Sequence, residues 1–371
     1  MTARDAAATF NLIEIGHAIL QRPNLELVIH AQRPALDYFR KAGLPVEPVE
    51  LPSTAAREGP EARDLRAHAR QLLERHRPNA VVCGLSTPFD GGIDEALLAE
   101  TDVPSFVMQD FWGEANAHFG RYADCYLGLD EEAVRLTRER HGADGVAIGS
   151  PRHAVYGDLD LEGIRARTRT ALDVSENTLV YGLFGQALHR IEGYRRTLRS
   201  WGRALSSLPA PRLAIYRKHP RESEADARAT LDILAEAGLE CVQTHDEPIE
   251  ETLLACDVAS SAFSLCNYDA AYLNYFAPRP LVTPISLMFD AEIVDYCRKN
   301  IRLDEFPFLR RRLALAIRSP EKLASTLAAA GEPETREAVW KAAKTMADPR
   351  GAADRALAAI ESRMEAGPRP T

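Results

Sequence analysis

A dense run of basic side chains directly follows one apolar segment of this sequence. The segment Leu213–Tyr216 leads into four basic residues, Arg217, Lys218, His219 and Arg221. The pattern predicts a buried strand with a cationic exit, and ligands of an open α/β sheet lie beyond the carboxyl ends of its strands. Arginine offers phosphate a planar fork, lysine a point charge and histidine a ring N–H. We therefore expect a phosphate-bearing ligand here, with a solvated basic turn paired to Glu222 or Glu224 as the alternative.

Apolar and amphipathic segments alternate along the chain. Residues 60–76 and 187–208 place apolar side chains at steps of three or four, which predicts helices. Residues 80–83, 178–183 and 258–263 are short apolar segments typical of buried strands. Repeated βα units of this kind imply parallel sheets with helices on both faces, so the predicted fold class is α/β.

Two such arrays follow one another, and the chain closes with helices. Residues 150–176 between them carry a Ser-Pro pair, a Gly-Asp turn and a charged helix, which is typical of a domain junction. We predict a Rossmann-like N-terminal domain at 1–152, a second Rossmann-like domain at 153–345, and a C-terminal helix and tail at 346–371.

Two features of the first array depart from a regular pattern. Residues 1–20 read as a helix, so the strand that normally opens such a domain is predicted to be missing, together with any catalytic residue after it. Either the fold tolerates this loss or the true start of the protein lies upstream of Met1. The segment Val46–Leu51 contains Pro48, which cannot donate to a strand ladder, so we expect it at a sheet edge.

Composition excludes several classes of function. The chain has 371 residues, 46% of them apolar and 27% charged, which is ordinary for a soluble two-domain enzyme. A net charge of −9 argues against a nucleic-acid or anionic-membrane partner. No apolar segment approaches the roughly 18 residues that a membrane span needs, so we expect a cytoplasmic protein. The six cysteines show no zinc-site spacing, and we predict neither a metal nor another cofactor.

Five motifs occur in an order that resembles a known architecture. They are GLSTPFDGG at 84–92, PSFVMQDFW at 104–112, IGSPRH at 148–153, RKHPRE at 217–222 and the segment 245–273. With tandem βαβ domains and terminal helices that could return to the first domain, they resemble the GT-B glycosyltransferases, whose two domains face a cleft. The resemblance covers most of the chain, and no motif is diagnostic alone. Sugar-nucleotide 2-epimerases and glycerophosphotransferases share this fold, so the fold does not fix the reaction.

The resemblance implies that the second domain holds a nucleotide sugar at three loops. At the first loop, Gly185 lets the backbone approach a ligand and Gln186 opens the next helix. The basic run is the second loop. The third carries small polar side chains before a helix, Ser261, Ser264 and Asn267. Asp269 stands where similar proteins place an acid, usually Glu, that contacts the ribose. His245 ends a strand near the expected position of the nucleotide's base. Ordinary turns and helix caps are the alternative for these loops, and a solvated acidic turn for His245.

The resemblance places the acceptor on the first domain. Asp110 directly follows the apolar run 105–109, and an inverting transfer needs one base within hydrogen-bond reach of the acceptor nucleophile. We predict Asp110 as that base and Glu114 as the second candidate. The alternative is that Asp110 only starts a turn.

These inferences lead to one hypothesis and two alternatives. The hypothesis is a metal-independent glycosyltransferase that moves a sugar from a nucleoside-diphosphate sugar to an acceptor in the interdomain cleft, in bacterial glycan or secondary-metabolite biosynthesis. Arg217, Lys218 and Arg221 would offset the charge of the leaving nucleoside diphosphate. A sugar-nucleotide 2-epimerase or hydrolase and a non-catalytic nucleotide-binding protein are the alternatives. The predicted partners are the nucleotide sugar and the acceptor, without nucleic acid or an integral membrane segment.

Overall fold

The computed structural model describes residues 1–175, 177–244 and 247–366. These residues form two compact units. Unit 1 contains Met1–Val155 together with the described residues from Ala347 onwards, and unit 2 contains Tyr156–Met346. Each unit is built on a parallel sheet, which confirms the predicted α/β class.

The sheet of unit 1 has the strand order β3-β2-β1-β4-β5-β6-β7, and its neighbouring strands run parallel. The strands are β1 (Thr2–Ala3), β2 (His30–Ala31), β3 (Glu47–Pro48), β4 (Val81–Gly84), β5 (Ser105–Met108), β6 (Cys125–Gly128) and β7 (Gly145–Ala147). The helices between them are α1 (Ala6–Leu20), α2 (Ala35–Lys41), α3 (Pro60–His76), α4 (Ile93–Glu100) and α5 (Glu131–His141). The residues of β4, β5 and β6 are buried, as expected for strands covered on both faces.

The prediction of a missing first strand is wrong. Thr2 and Ala3 form β1, which lies inside the sheet because Thr2 pairs with both His30 of β2 and Cys83 of β4. Only α1 is helical in this segment, and Asp5 caps it by accepting a hydrogen bond from the Ala7 amide at 3.1 Å. A strand of two residues is too short to show an alternating pattern, so tertiary pairing alone defines it.

Helix α3 shows how sequence pattern fixes an element here. Pro60 occupies the first position, where its missing N–H costs nothing, and the helix ends before Arg77, whose φ of 44° is left-handed. Leu65, Ala69 and Leu72 are buried on one face. The predicted helix over 60–76 is confirmed.

Strand β3 is the outermost strand of its sheet, as predicted for the segment with Pro48. The amides of Glu47 and Val49 donate to carbonyls of Ile29 and Ala31, each at 2.9 Å. Pro48 stands between these two inward-facing amides, so its nitrogen faces away from β2. Both residues of β3 are exposed.

The sheet of unit 2 has the order β10-β9-β8-β11-β12-β13, again with parallel neighbours. Its strands are β8 (Leu179–Phe184), β9 (Arg212–Arg217), β10 (Val242–Thr244), β11 (Val258–Ser261), β12 (Thr283–Leu287) and β13 (Leu315–Ile317). The helices are α6 (Leu161–Ala171), α7 (Glu192–Ser206), α8 (Glu224–Glu236), α9 (Ile249–Ala255), α10 (Cys266–Phe276), α11 (Ala291–Ile301), α12 (Pro307–Arg310), α13 (Leu323–Gly331) and α14 (Pro333–Ala343).

The last helix, α15 (Ala352–Ala366), belongs to a different unit from the helices just before it, and helix α7 begins later than predicted. Helix α15 belongs to unit 1, where Asp354 pairs with Arg22 after α1 at 3.0 Å. Helix α7 begins at Glu192, five residues later than the predicted start, because residues 186–191 form turns. Throughout the described ranges, no helix is both long and apolar enough to cross a membrane.

A buried ionic cluster holds the amino ends of β8 and β11. Arg165 and Arg336 each contact Oδ1 of Asp257, at 2.6 and 3.0 Å, and Arg169 contacts its Oδ2 at 3.0 Å. Asp257 also accepts a hydrogen bond from the Val180 amide at 2.9 Å. Burial alone would raise the pKa of Asp257, but Arg165 and Arg336 outweigh it and hold the pKa below its ordinary value.

Candidate functional site

The three loops predicted to bind the nucleotide sugar are neighbours at the carboxyl edge of the unit 2 sheet. Strand β8 lies between β9 and β11, which is where the strand order reverses. The Gly185 amide donates to the Arg217 carbonyl at 2.9 Å, and the Phe263 amide donates to Gln186 Oε1 at 2.9 Å. These bonds join the loop after β8 to the loops on either side. Such a reversal is where open α/β sheets bind their ligands.

The basic run makes ionic and polar contacts within unit 2. Arg217 donates from Nη1 to Thr252 Oγ1 at 2.8 Å and from Nη2 to the Glu247 carbonyl at 2.6 Å. Lys218 pairs with Glu224, the partner that the solvated-turn alternative names, although the Lys218 side chain is only 16% exposed. Arg221 is exposed. Arg217 and Lys218 are thus held at the sheet edge and do not extend freely into solvent.

His219 is a neutral hydrogen-bond donor in this arrangement. Its Nδ1 accepts a hydrogen bond from the Arg221 amide at 3.0 Å, which selects the tautomer with the proton on Nε2. Burial, reinforced by the charge of Arg221, lowers the pKa of His219 to about 4. The ring can therefore offer an N–H to a phosphate oxygen at neutral pH without adding positive charge.

The third loop shows the helix-capping bonds of the alternative interpretation. Ser261 Oγ accepts from the Ser264 amide at 3.3 Å, and Ser264 Oγ accepts from the Cys266 amide at 3.2 Å. Asn267 differs from them: its side chain is fully buried, and neither Nδ2 nor Oδ1 has a hydrogen-bond partner among the described residues. Asp269 is also buried, in the first turn of α10. The binding roles of these residues stay predictions.

The structure gives Gln186 a structural role and does not describe His245. Gln186 is buried, and besides its bond to Phe263 its own amide donates to the Tyr194 hydroxyl at 2.9 Å, so it links structural elements. His245 lies outside the described residues.

The predicted base lies in unit 1 at the end of β5. Asp110 and Glu114 are both half-buried. Burial, followed by the charge of Asp5, raises the pKa of Asp110 to about 7. Glu114 Oε1 lies 3.9 Å from Arg140 Nη1, and its carbonyl accepts from Gln109 Nε2 at 2.7 Å. A pKa near 7 gives Asp110 the proton affinity that suits a base at neutral pH.

A charged cluster in unit 1 escaped the sequence interpretation. Arg4 follows β1, beside the β1–β4 boundary where the strand order of this sheet reverses. Its guanidinium contacts Glu95 Oε2 at 3.2 Å, Asp90 Oδ1 at 2.7 Å and Ser86 Oγ at 2.8 Å. Burial and the nearby Glu95 raise the pKa of Asp94 to about 7. Arg4 was overlooked because the strand before it was predicted to be missing.

No arrangement of His, Cys, Asp and Glu side chains in the described ranges could hold a metal ion through three or more of them.

Comparison with known proteins places this geometry in a structural class. The sequence matches no protein-family model and no curated protein. The structure matches UDP-GlcNAc 2-epimerase from Neisseria meningitidis bound to UDP-GlcNAc with a TM-score of 0.67, covering 97% of this chain and 98% of that chain at 10% identity. The chain has the GT-B fold.

Two further GT-B structures show the same likeness. UDP-GlcNAc 2-epimerase from Methanocaldococcus jannaschii gives a TM-score of 0.63 at 11% identity, covering 97% of this chain and 98% of that one. A glycosyltransferase from Rickettsia africae gives 0.65 at 10% identity, with 98% of both chains covered. Likeness at such low identity establishes the fold and leaves the reaction open.

Proposed function

We propose that the protein is an enzyme acting on a nucleoside-diphosphate sugar, with the nucleotide bound by unit 2. The observation that carries this proposal is the junction of the loops after β8, β9 and β11 at the reversal of strand order, with a neutral His219 and the basic residues beside it. Two proteins of similar structure support the choice of ligand: the Neisseria meningitidis epimerase is bound to UDP-GlcNAc, and Anabaena HepE is in complex with UDP.

The reaction we propose first is glycosyl transfer. The acceptor hydroxyl attacks the anomeric carbon, the bond from that carbon to the diphosphate oxygen breaks, and Asp110 takes the hydroxyl proton. His219 Nε2–H and the positive charges of Lys218 and Arg221 stabilise the departing diphosphate. The near-neutral pKa of Asp110 favours this role, because a base is most effective when its pKa lies close to the working pH.

Epimerisation at C2 of the sugar is the second candidate. No carbonyl acidifies the C2–H bond, so its proton would leave as the bond from C1 to the diphosphate oxygen breaks, and a proton would return to the other face of C2 as that bond re-forms. Groups that titrate near neutral pH would serve both proton transfers. Asp110 of unit 1, whose pKa is raised to about 7, is a candidate for this proton transfer. Two of the similar structures described above are UDP-GlcNAc 2-epimerases, which adds support.

Ligand screening followed by product analysis tests these proposals. A nucleoside diphosphate or its sugar ester at about 100 times its Kd should stabilise the protein by roughly 2.7 kcal/mol in thermal unfolding. Incubation with UDP-, GDP- and CDP-sugars then separates the reactions: a new sugar nucleotide without acceptor indicates epimerisation, and nucleotide release that requires an acceptor indicates transfer. If no nucleotide or nucleotide sugar stabilises the protein, the proposed function is wrong.

The variant Asp110→Asn tests the base. It should slow turnover about a hundredfold or more while nucleotide binding stays unchanged, because only the proton-transfer step loses its acceptor. In the wild type, kcat/KM should rise with pH through about 7, as the carboxyl must be ionised to accept the proton. Asp232→Asn, an exposed carboxyl of α8, is the control. Wild-type turnover in Asp110→Asn would exclude this residue as the base.

A further inference from the structure

Glu222, at the end of the basic run, is buried directly beneath the proposed nucleotide site. Only 4% of the residue is exposed, whereas the preceding Arg221 is exposed. Glu222 Oε2 accepts a hydrogen bond from the His219 amide at 2.6 Å. A Cβ atom added at Gly185 would overlap the same oxygen. The carboxyl group therefore fills the space that Gly185 leaves and supports the loops after β8 and β9.

The carboxyl group is poorly compensated as an anion. Its Oε1 is buried and has no hydrogen-bond partner among the described residues. His189 Nε2 lies 3.9 Å from Oε1, too far for a hydrogen bond. It is hydrogen-bonded instead to Thr230 Oγ1, at 2.7 Å. Burial raises the pKa of Glu222 to about 7, although the His219 backbone hydrogen bond and the nearby Tyr216 hydroxyl oppose the shift. An ionised Glu222 is thus costly even before a second anion approaches.

Titratable and charged groups face Glu222 from each neighbouring element. They are Tyr216 and Lys218 at the end of β9, His189 in the loop after β8, Tyr194 of α7, Asp226 of α8, and His219 in the loop of Glu222 itself. Burial lowers the pKa values of both histidines. Neither therefore supplies a positive charge at neutral pH, and the charge of Lys218 is shared with Glu224. The two histidines therefore do not offset the repulsion between Glu222 and a bound diphosphate, and Lys218 offsets it only in part.

We propose that binding of a nucleoside-diphosphate ester at the loops after β8 and β9 is coupled to the uptake of one proton by Glu222. The inference rests on the proposed function, because it requires the diphosphate to bind at these loops. Two anions on opposite sides of one thin backbone segment repel each other in a weakly screened interior. The diphosphate therefore favours the protonated carboxyl, which keeps Oε2 as the acceptor for the His219 amide. Glu222 acts as a positioning residue through His219 and Gly185 and does not contact the ligand.

The proposed coupling predicts the direction in which ligand affinity changes with pH. Above the pKa of Glu222, the ligand must draw a proton from solvent, so affinity should fall by up to about tenfold for each pH unit. The probe is a sugar ester such as UDP-GlcNAc, whose diphosphate does not titrate near neutral pH. Calorimetry at pH 8 in two buffers with different ionisation enthalpies should report an uptake approaching one proton for the wild type.

Matched variants assign the proton to one residue. Glu222→Gln mimics the protonated carboxyl and should bind at pH 8 about as tightly as the wild type binds at pH 6, with most of the proton uptake lost. Glu224→Gln removes a carboxyl only two residues away, one whose side chain is 75% exposed, and should keep the wild-type pH dependence. If Glu222→Gln folds poorly, absence of proton uptake by the wild type still overturns the inference.

The outcomes separate this inference from the proposed function. Binding by the wild type without proton uptake between pH 6.5 and 8.5 would overturn the role of Glu222 and leave the proposed function standing. Equal pH dependence in the wild type and Glu222→Gln would do the same. Absence of binding at every pH would overturn both.

Discussion

Gln186 Oε1 accepts a hydrogen bond from the Phe263 amide at 2.9 Å, so one buried side chain joins the loop after β8 to the loop after β11. Gln186→Ala leaves the Phe263 amide buried and unpaired, which should lower the free energy of unfolding by about 1–3 kcal/mol. Binding of nucleotide should weaken as well, since the third loop loses its anchor. Urea unfolding and calorimetry measure the two effects.

Gln71→Ala is the matched control, because Gln71 is exposed on α3 and should change stability by less than about 0.5 kcal/mol. Equal stability of the two variants would show that the Gln186–Phe263 bond contributes nothing to the loop.

Arg4 neutralises buried carboxylates at the carboxyl edge of the unit 1 sheet. Arg4→Met leaves the carboxyl of Glu95, which is 3% exposed, without its guanidinium partner, which should cost about 3–5 kcal/mol in urea unfolding. The stability of Arg4→Lys should lie between those of the wild type and Arg4→Met, because one ammonium cannot reproduce the bonds to Glu95, Asp90 and Ser86 together. Arg63→Met, exposed on α3, controls for the loss of a positive charge. A wild-type unfolding midpoint in Arg4→Met would refute the pairing.

Asp257 holds three guanidinium groups at the amino edge of the unit 2 sheet. Asp257→Asn leaves Arg165, Arg169 and Arg336 close together without a counter-charge, and we expect a loss of about 3–5 kcal/mol at pH 7. Because the folded-state pKa of Asp257 is lowered, its contribution is present above about 3.8 and is lost as pH falls through the folded-state value.

The difference between Asp257→Asn and the wild type should therefore shrink in strongly acidic solution, which unfolding at pH 7 and pH 3 measures. Asp232→Asn on α8 is the exposed control. A constant difference at both pH values would contradict the ionic explanation.

His30 makes unit 1 sensitive to acid. Its Nε2 lies 3.1 Å from His76 Nε2, and burial, with a smaller effect of His76, lowers its pKa to about 4 although Glu47 opposes the shift. An unfolded histidine takes up a proton near pH 6.5, so stability should fall as pH drops from about 6.5 to about 4. His30→Gln should flatten this fall in thermal unfolding between pH 8 and pH 5. His17→Gln, in α1, should retain it; identical profiles for His30→Gln and the wild type would exclude His30 as the cause.

The sequence predicts the fold wherever an element is long enough to show its period. Helix α3 agrees with the prediction residue for residue, because Pro60 and the buried stripe through Leu65 and Leu72 mark its start and its face. Strand β1 could not be recognised, because two residues carry no period and its position depends on pairing with Cys83, which lies 81 residues away in the sequence.

The candidate site was predictable in its location but not in its contacts. Parallel strand ends share one edge, so the neighbourhood of Gly185 and Arg217 follows from topology. The partner of Arg217, Thr252, lies 35 residues further on, and no local pattern indicates it. The solvated-turn alternative gave Glu222 only the role of an ionic partner for the basic run, since glutamate is rarely buried. Its packing against Gly185 is seen only in the structure.

The proline of β3 has a consequence for how this protein behaves at high concentration. An outermost strand normally presents amide hydrogens to which another chain can add, and such growth leads to aggregation. In β3 the position whose nitrogen points outward is Pro48, which has no hydrogen to give. A strand of another chain that paired with β3 would lack the hydrogen bond from an amide at position 48. This disfavours extension of the sheet by further chains at this edge.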